Sequence, residues 1–231
     1  MNNEKANIGK LFDRIAGTYD RFNHITSLGI DIYWRKVAIR GLRPVQRLLD
    51  VAIGTADVAI MALRKGKAQH VTGLDLSTEM MAIGRAKAER AGLADKIDFV
   101  AGSAQEMPFE ANSFEALTCA YGVRNFSDLD AGLREMYRVL EPGGQLAILE
   151  FSYPSNPVIR WAYDLYFSHL MPVIGRVISK DASAYTYFLN SVKTFIWGEE
   201  MIAHLRAAGF ANAHYRTMTF GITTLYTATK E

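Results

Sequence analysis

Short apolar runs alternate with amphipathic segments along the middle of this 231-residue chain. The apolar runs cover residues 48–52, 71–75, 97–100, 116–121 and 146–150, and helical patterns between them cover residues 57–65, 77–91 and 128–140. Parallel strands joined through helices require right-handed crossovers, which place helices on both faces of the sheet. The alternation therefore predicts a doubly wound, Rossmann-like α/β fold.

The ends of the chain depart from this alternation. Residues 1–45 have helical periodicity broken at Ser27-Leu28-Gly29, which predicts a helical cap before the core at residues 46–151. Residues 152–197 are aromatic and not strand-like, which indicates a helical insertion after the fifth strand. Residues 198–231 combine one helix with two strand-like runs, which predict an antiparallel terminal hairpin. We expect a single domain, residues 1–231, with a seven-stranded, mostly parallel sheet.

Charge and cysteine usage exclude several classes of protein. With 26 Lys and Arg against 24 Asp and Glu, the net charge of +2 is too balanced for a protein whose main partner is nucleic acid. The single cysteine, Cys119, lies in an apolar run and is expected in the core, or alternatively beside a site. Scattered histidines give no basis for a zinc site, and no metal is expected. Because no signal peptide or membrane-spanning run is visible, we expect a cytoplasmic protein.

The loop after the first strand predicts a nucleoside site. Ligands of open α/β sheets lie beyond the carboxyl ends of the strands, where this chain places Gly54. The second strand ends in Asp75, about 20 residues further on, where a carboxylate can accept both hydroxyls of a ribose. The further glycines of a dinucleotide loop are missing, so adenosine is favoured and a pyrophosphate is not.

An adenosine cofactor without pyrophosphate, together with a terminal hairpin, favours S-adenosylmethionine. Ser103 and Ala104 follow the third strand at the height where an adenine would lie, and small residues there suit a flat ring. A nicotinamide dehydrogenase is a distant alternative because it would need the missing glycines.

Several longer segments carry a resemblance to a known family. They are residues 12–20 with Asn23, 49–57, 122–126, 133–144, 149–152, 185–187 and 208–210. On these segments the chain resembles the ubiquinone/menaquinone biosynthesis C-methyltransferase family from residue 11 to residue 230. Arg124-Asn125, Glu150-Phe151-Ser152 and Tyr185-Thr186-Tyr187 are more specific than the Gly54 loop, which many methyltransferases share.

The resemblance implies transfer of a methyl group from S-adenosylmethionine to a ring carbon of a polyprenyl quinol. We favour demethylmenaquinol as the acceptor, and ring size, prenyl length and oligomeric state are not specified by these residues. The resemblance places cofactor contacts at Thr55, Asp75, Ser103, Ala104 and Ala120.

Two residues depart from the family pattern. The family usually has Gly at the position of Ala56 and often Ser at the position of Ala120. Because an alanine with positive φ costs about 1 kcal/mol or more, we predict a negative φ at Ala56 with the loop still open. These departures leave open a non-catalytic relative that binds the cofactor without using it. A methyltransferase for another acceptor, such as a sterol, a small phenol or an oxyanion, is a further alternative.

Arg124 and Asn125 are the candidate catalytic residues, at the end of the fourth strand. A guanidinium cannot act as a base at neutral pH, but it can stabilise a quinolate or a hydroxide-like water, with Asn125 orienting the ring oxygen or that water. Alternatively, Arg124 forms an ion pair with Asp128 or Asp130. Spacing alone does not separate these interpretations, and the resemblance favours the first.

Further candidates lie among aromatic and basic residues. Tyr19, Tyr185 and Tyr187 either close over the substrate or pack in the core, and His24 is either a base or a capping residue.

Two segments bear on membrane contact. A basic run around the second helix is either a solvated face or a membrane-attracted one; it consists of Arg35, Lys36, Arg40, Arg43 and Arg47. The aromatic residues of the segment 159–171 either belong to the core or form a groove for a prenyl tail. The groove predicts transient peripheral contact with a membrane.

Overall fold

The computed structural model describes residues 2–170 and 182–231, with side chains described for residues 8–166, 168–169 and 187–231. Seven strands form one sheet in the order β3-β2-β1-β4-β5-β7-β6. The strands are β1 (Val45–Val51), β2 (Ala68–Asp75), β3 (Ile97–Ala101), β4 (Phe114–Ala120), β5 (Leu140–Phe151), β6 (Ala211–Met218) and β7 (Thr223–Thr229). The first five run parallel, and β7 is antiparallel to both β5 and β6.

Eight α-helices accompany the sheet in the described part of the chain. They are α1 (Asn2–Thr26), α2 (Ile30–Gly41), α3 (Asp57–Arg64), α4 (Thr78–Arg90), α5 (Leu129–Val139), α6 (Pro157–Leu165), α7 (Ala182–Thr194) and α8 (Glu199–Ala207). A π-helical turn, Tyr166–Leu170, continues α6. This arrangement confirms the predicted fold class, including the helical cap, the insertion after β5 and the antiparallel ending.

The core lies in two layers, one on each face of the sheet. Successive residues of β1 point to opposite faces, so that Leu48 packs in the layer that contains Ile39 of α2, whereas Leu49 packs in the layer that contains Leu133 of α5. All four side chains are fully buried. Cys119 is also buried in the second layer, as expected for a core cysteine.

Two helix starts follow directly from their sequence. The Ser77 side chain accepts a hydrogen bond from the backbone N–H of Met80 and begins α4, and the Asp128 side chain accepts one from Ala131 and begins α5. Both helices lead back to the sheet from strand ends where the predicted site lies.

The prediction for Ala56 is wrong. Its φ is +65°, and Ala52 and Gly54 also have positive φ, at +56° and +53°. The Ala56 N–H donates to the Ile53 carbonyl at 3.0 Å, and the Ala56 carbonyl accepts from Ile60 at 2.9 Å, so one residue both closes the turn and starts α3. These bonds fix the left-handed conformation, which an alanine adopts at a cost of about 1–2 kcal/mol.

The basic run around α2 is not one continuous solvated face. Arg35 is only 7% exposed, against the expectation, because its guanidinium pairs with the buried carboxylate of Asp31 one turn earlier. Arg47 forms a surface ion pair with Glu141 at 2.6 Å, and Arg40 is exposed.

Candidate active site

A pocket opens beyond the carboxyl ends of the central strands, and we call it the strand-end pocket. Five of the predicted cofactor residues line it: Gly54, Asp75, Ser103, Ala104 and Ala120. They come from four different segments, the loop after β1, the end of β2, the loop after β3 and the end of β4. The topology therefore brings together residues that lie more than sixty positions apart in the sequence, such as Gly54 and Ala120.

Asp75 is oriented by the backbone around it. Its Oδ2 accepts a hydrogen bond from the Gly54 N–H at 2.8 Å, and its Oδ1 accepts one from the Ser77 N–H at 2.9 Å. Burial raises the pKa of this carboxyl above its ordinary value, although these backbone bonds oppose the shift. Because each carboxylate oxygen has a second lone pair, both can still accept from neighbouring hydroxyls such as those of a ribose.

Two glycines allow the backbone around the strand-end pocket to pack closely against neighbouring side chains. A Cβ on Gly122 would lie 2.6 Å from the Ala52 Cβ, and a Cβ on Gly102 would lie 2.8 Å from Leu74 Cδ1. Leu76 and Met80 supply apolar surface beside Asp75. A carboxylate beside a flat, partly apolar slot fits an adenosine group.

Thr55 is placed differently from the other predicted cofactor residues. It is buried, it is not part of the pocket lining, and its hydroxyl donates to Asp20 Oδ1 of α1 at 2.6 Å. Lys87 of α4 donates to the same Asp20 at 2.9 Å and to the Thr55 hydroxyl at 3.2 Å. The Thr55 side chain thus links α1 to the loop after β1. Contact of Thr55 with a cofactor stays a prediction.

A second pocket, the apolar pocket, lies between the cap helices and the insertion and has a volume of about 390 Å³. Its walls come from α1, α2, α6, α7, the end of β5 and the turn between β6 and β7. Its aromatic lining includes Phe22, Trp34, Phe151, Tyr163, Tyr166 and Phe188. Tyr163, Tyr166 and Phe188 of the aromatic insertion therefore face a cavity rather than the sheet.

Three aromatic residues line both pockets: Phe12, Tyr19 and Tyr121. Phe12 and Tyr19 lie about two turns apart on α1, with ring centroids 6.0 Å apart, and Tyr121 follows the last residue of β4. The two pockets therefore adjoin, and a group bound in one would face a group bound in the other across these rings.

Arg124 lies against the apolar pocket and is almost fully buried, with 5% of its side chain exposed. Its Nη1 donates to Glu150 Oε1 at 2.8 Å and to the Tyr121 carbonyl at 2.6 Å, and its Nε donates to Ser191 at 3.3 Å. Burial is the largest single influence and would lower the pKa of Arg124, but the charge and hydrogen bond of Glu150, together with Tyr19 and Tyr187, outweigh it and raise that pKa. The guanidinium is thus held as a buried cation.

As the alternative to a catalytic role, the sequence predicted an ion pair of Arg124 with Asp128 or Asp130, and this prediction is wrong. Asp128 caps α5, and Asp130 pairs with His204 at 2.6 Å. The true partner, Glu150, ends the fifth apolar run, and the signal for it was a single carboxylate in an otherwise apolar strand.

Asn125 connects the two pockets. It lines the strand-end pocket, and its Oδ1 accepts a hydrogen bond from the Tyr187 hydroxyl at 2.9 Å, while Tyr187 lines the apolar pocket. Burial raises the pKa of Tyr187 and of Tyr19, so both phenols stay protonated near neutral pH. The side chain of Tyr185 lies outside the described residues.

His24 lines neither pocket. Its Nδ1 lies 2.8 Å from Asp31 Oδ2, and 37% of its side chain is exposed. A direct role as base is therefore not supported by its position. Among residues 2–170 and 182–231, no group of three His, Cys, Asp or Glu side chains is arranged to hold a metal ion.

Comparisons with known proteins agree with this geometry. The model of the ubiE/COQ5 methyltransferase family matches residues 1–230. A demethylmenaquinone methyltransferase of Bacteroides fragilis is 44% identical over 96% of this chain and 92% of its own length. One from Porphyromonas gingivalis is 43% identical over 95% and 91%. The ubiquinone/menaquinone biosynthesis C-methyltransferase UbiE of Cereibacter sphaeroides is 37% identical over 98% and 92%.

Solved structures share the fold at low sequence identity. The [4+2]-cyclase SpnF has a TM-score of 0.72 at 18% identity, covering 96% of this chain and 95% of its own. A methyltransferase from Thermotoga maritima, described as S-adenosylmethionine-dependent and possibly acting on histamine, has a TM-score of 0.68 at 18% identity, with 96% and 99% covered. A cyclase and a methyltransferase on one fold illustrate that the fold alone does not define the reaction.

Proposed function

The chain belongs to the ubiE/COQ5 methyltransferase family, and we propose that it methylates a ring carbon of a polyprenyl quinol, with demethylmenaquinol as the acceptor and S-adenosylmethionine as the methyl donor. The observation that carries the proposal is that the strand-end pocket, with its Asp75 carboxylate, and the apolar pocket adjoin at Phe12, Tyr19 and Tyr121. Donor and acceptor would meet there. The identities of 43–44% to demethylmenaquinone methyltransferases support a naphthoquinol acceptor.

The strand-end pocket would hold the donor. In this proposal Asp75 accepts the ribose hydroxyls, while Leu76, Ser103 and Ala104 flank the adenine and Ala120 lies near the reacting end. S-adenosylmethionine supplies an electrophilic methyl group on a positively charged sulfur. What the protein adds is position, because holding two reactants in line makes the reaction effectively unimolecular.

The acceptor ring needs to become electron-rich, and it does so when a phenolic proton is lost. A phenol has a pKa near 10, so the phenolate is scarce at neutral pH unless a cation stabilises it. Arg124 is a fixed buried cation on the acceptor side, and Asn125 lies beside it with its Oδ1 held by Tyr187. We assign stabilisation of the quinolate to Arg124 and orientation of the ring oxygen to Asn125. The phenolic proton leaves to water, the hydrogen on the methylated ring carbon is then lost as a proton so that the ring becomes aromatic again, and the ring oxygen finally regains a proton from water.

Two exposed residues at the mouth of the apolar pocket support peripheral contact with a membrane. Leu28 and Phe220 both line this pocket, yet 81% and 77% of their surfaces are exposed, and both have positive φ, at +53° and +58°. Exposing apolar side chains in strained conformations is unfavourable unless a partner covers them. In the described part of the chain no helix is long and apolar enough to cross a bilayer. We therefore propose a cytoplasmic enzyme that touches the membrane surface while the prenyl tail enters.

Mass spectrometry of quinones tests the acceptor. A strain that lacks this enzyme should accumulate demethylmenaquinone, and the wild-type chain should restore the methylated quinone. The Arg124→Lys variant should restore much less, while its binding of S-adenosylhomocysteine stays close to wild type. An unchanged quinone pool after deletion would refute the proposed acceptor.

Flotation with anionic liposomes tests the membrane contact. The Leu28→Ser/Phe220→Ser double variant should lose most of the bound fraction, whereas Tyr215→Ser, which changes an exposed aromatic residue outside the apolar pocket, should not. If wild-type protein fails to float with or without quinol, the membrane part of the proposal is wrong.

A further inference from the structure

A buried ionic cluster forms one wall of the apolar pocket. Asp31 is 2% exposed and Arg35 is 7% exposed, and both line the pocket. The Asp31 carboxylate accepts hydrogen bonds from Arg35 Nη1 and, at 2.5 Å, from the Ser27 hydroxyl, and it lies 2.8 Å from His24. Removing such charges from water is costly, and a cavity that held only hydrocarbon would not need them.

Arg35 resembles Arg124 in its surroundings. The Tyr121 and Phe151 rings are stacked with centroids 4.4 Å apart; Arg35 lies 5.4 Å from the first ring and Arg124 lies 5.5 Å from the second. Each guanidinium has its own carboxylate, Asp31 or Glu150. The apolar pocket therefore contains two separate cations around one aromatic pair.

Both cations also act on the same phenol. Burial raises the pKa of Tyr19, whereas Arg124 and Arg35 each pull it down, so the hydroxyl between the two pockets is within electrostatic range of both. A ligand oxygen near this hydroxyl would experience the same two charges.

Arg35 has donors available for a ligand. Among the described residues, its hydrogen bonds use only Nη1, and a guanidinium carries five N–H donors. Arginine is favoured for this purpose because its planar group stays charged and keeps a fixed donor geometry.

We propose that Arg35 binds the second oxygen of the acceptor, so that the site selects rings with two para oxygens over rings with one. Arg124 takes the oxygen next to the methylated carbon, and Arg35 takes the oxygen on the opposite side of the ring. This inference rests on the proposed function. It makes Arg35 a substrate-binding residue that determines specificity, with Asp31 fixing its position.

The test compares two acceptors that differ by one hydroxyl. Wild-type enzyme and the Arg35→Lys variant are given a short-chain prenylated naphthohydroquinone and the matching prenylated naphthol, under anaerobic reducing conditions. The wild type should prefer the hydroquinone by about tenfold or more in kcat/KM, and Arg35→Lys should lose most of that preference by slowing on the hydroquinone alone. Arg47→Lys, in an exposed ion pair, is the matched control and should keep the preference.

A second variant covers the case in which Arg35→Lys does not fold. Asp31→Asn/Arg35→Gln removes both charges, leaves no unpaired buried ion, and should show the same loss of preference. The assignment of Arg35 would be overturned if the variants lost kcat/KM equally on both acceptors. It would also be overturned if the wild-type enzyme did not prefer the hydroquinone. A wild type that methylates the naphthol but no hydroquinone would instead refute the proposed acceptor, and one that methylates neither would refute both.

Discussion

Glu150 binds Arg124 at two points: Oε1 accepts from Nη1 at 2.8 Å, and Oε2 accepts from the backbone N–H at 3.2 Å. Only 1% of the Glu150 side chain and 5% of the Arg124 side chain are exposed. The last carboxylate of β5 therefore positions both the main chain and the cation of the segment that follows β4.

Glu150→Gln should impair both folding and turnover. The substitution leaves Arg124 buried without a counter-charge, which typically costs about 3–5 kcal/mol, and the displaced guanidinium should lower kcat by about tenfold or more. Denaturant unfolding and methyl-transfer kinetics measure the two effects. The control is Glu141→Gln, which breaks the exposed pair with Arg47 and should cost less than about 1 kcal/mol. Equal stability of the two variants would contradict the role of Glu150.

Asp75→Asn should weaken binding of S-adenosylhomocysteine by about 10- to 100-fold, because hydrogen bonds to a charged acceptor contribute about 1.5–3 kcal/mol. Calorimetric titration measures the affinity. Asp98→Asn, which removes an exposed carboxylate paired with His70, is the matched control and should bind normally. Unchanged affinity in Asp75→Asn would place the ribose elsewhere.

The positive φ of Ala56 predicts that replacing this residue by glycine changes the stability of the protein little. Ala56→Gly relieves a left-handed strain of about 1–2 kcal/mol but loses a buried methyl group and adds chain entropy, so the free energy of unfolding should change by less than about 1 kcal/mol. Ala59→Gly removes an equally buried methyl group within α3 and should cost about 2 kcal/mol. Similar losses in both variants would mean that the strain at Ala56 is negligible.

Stability should depend on pH through Asp50. Burial raises the pKa of Asp50 to about 7, although the Thr118 hydroxyl donates to it at 2.7 Å. Because an unfolded aspartate titrates near 3.9, the folded state binds the proton more tightly, and stability is lost as pH rises from about 4 to about 7. Asp50→Asn stays neutral, so its stability relative to wild type should grow over this window by on the order of a few kcal/mol.

Urea unfolding at a series of pH values measures this effect. Asp95→Asn, which changes an exposed carboxylate, should give a curve parallel to the wild type. A constant difference between Asp50→Asn and wild type across the window would show that Asp50 is not responsible.

The sequence predicted the parts of the site that depend on strand ends. Asp75 and Gly54 could be located because parallel strands end at the same edge of the sheet, and a local apolar run identifies each strand. Tertiary contacts explain what was missed. The φ of Ala56 depends on a turn bond to Ile53, and helical periodicity in α2 does not reveal that Arg35 faces a pocket.

Some of the missing information was nevertheless visible. Asp31 and Arg35 are four residues apart beside Trp34, which is the spacing of a helical ion pair on a face that buries an indole. Leu76, which follows Asp75 directly, is an apolar residue at a strand end where solvent would favour a polar one. Neither signal indicates function by itself, because packing produces the same patterns.

The hydrogen bond between Thr55 and Asp20 predicts that α1 controls access to the strand-end pocket. Helix α1 contributes Gly9, Phe12 and Tyr19 to this pocket, and it is fastened to the sheet domain through Asp20 and through Asp13, which accepts from the Ser77 hydroxyl at 2.6 Å. Thr55→Val keeps the size of the side chain but removes the donor to Asp20. Amide exchange in α1 should therefore become faster, and binding of S-adenosylhomocysteine should weaken by a few fold.

Hydrogen exchange with and without S-adenosylhomocysteine measures both quantities in the same protein. Thr217→Val, on the exposed part of β6, removes a hydroxyl without touching α1 and should exchange like wild type. If α1 closes over the ligand, the ligand should slow exchange in α1 more strongly in Thr55→Val than in wild type, because the variant starts from a more open state. Faster exchange in α1 with unchanged affinity would mean that α1 is a fixed wall, and that the donor enters the strand-end pocket without displacing it.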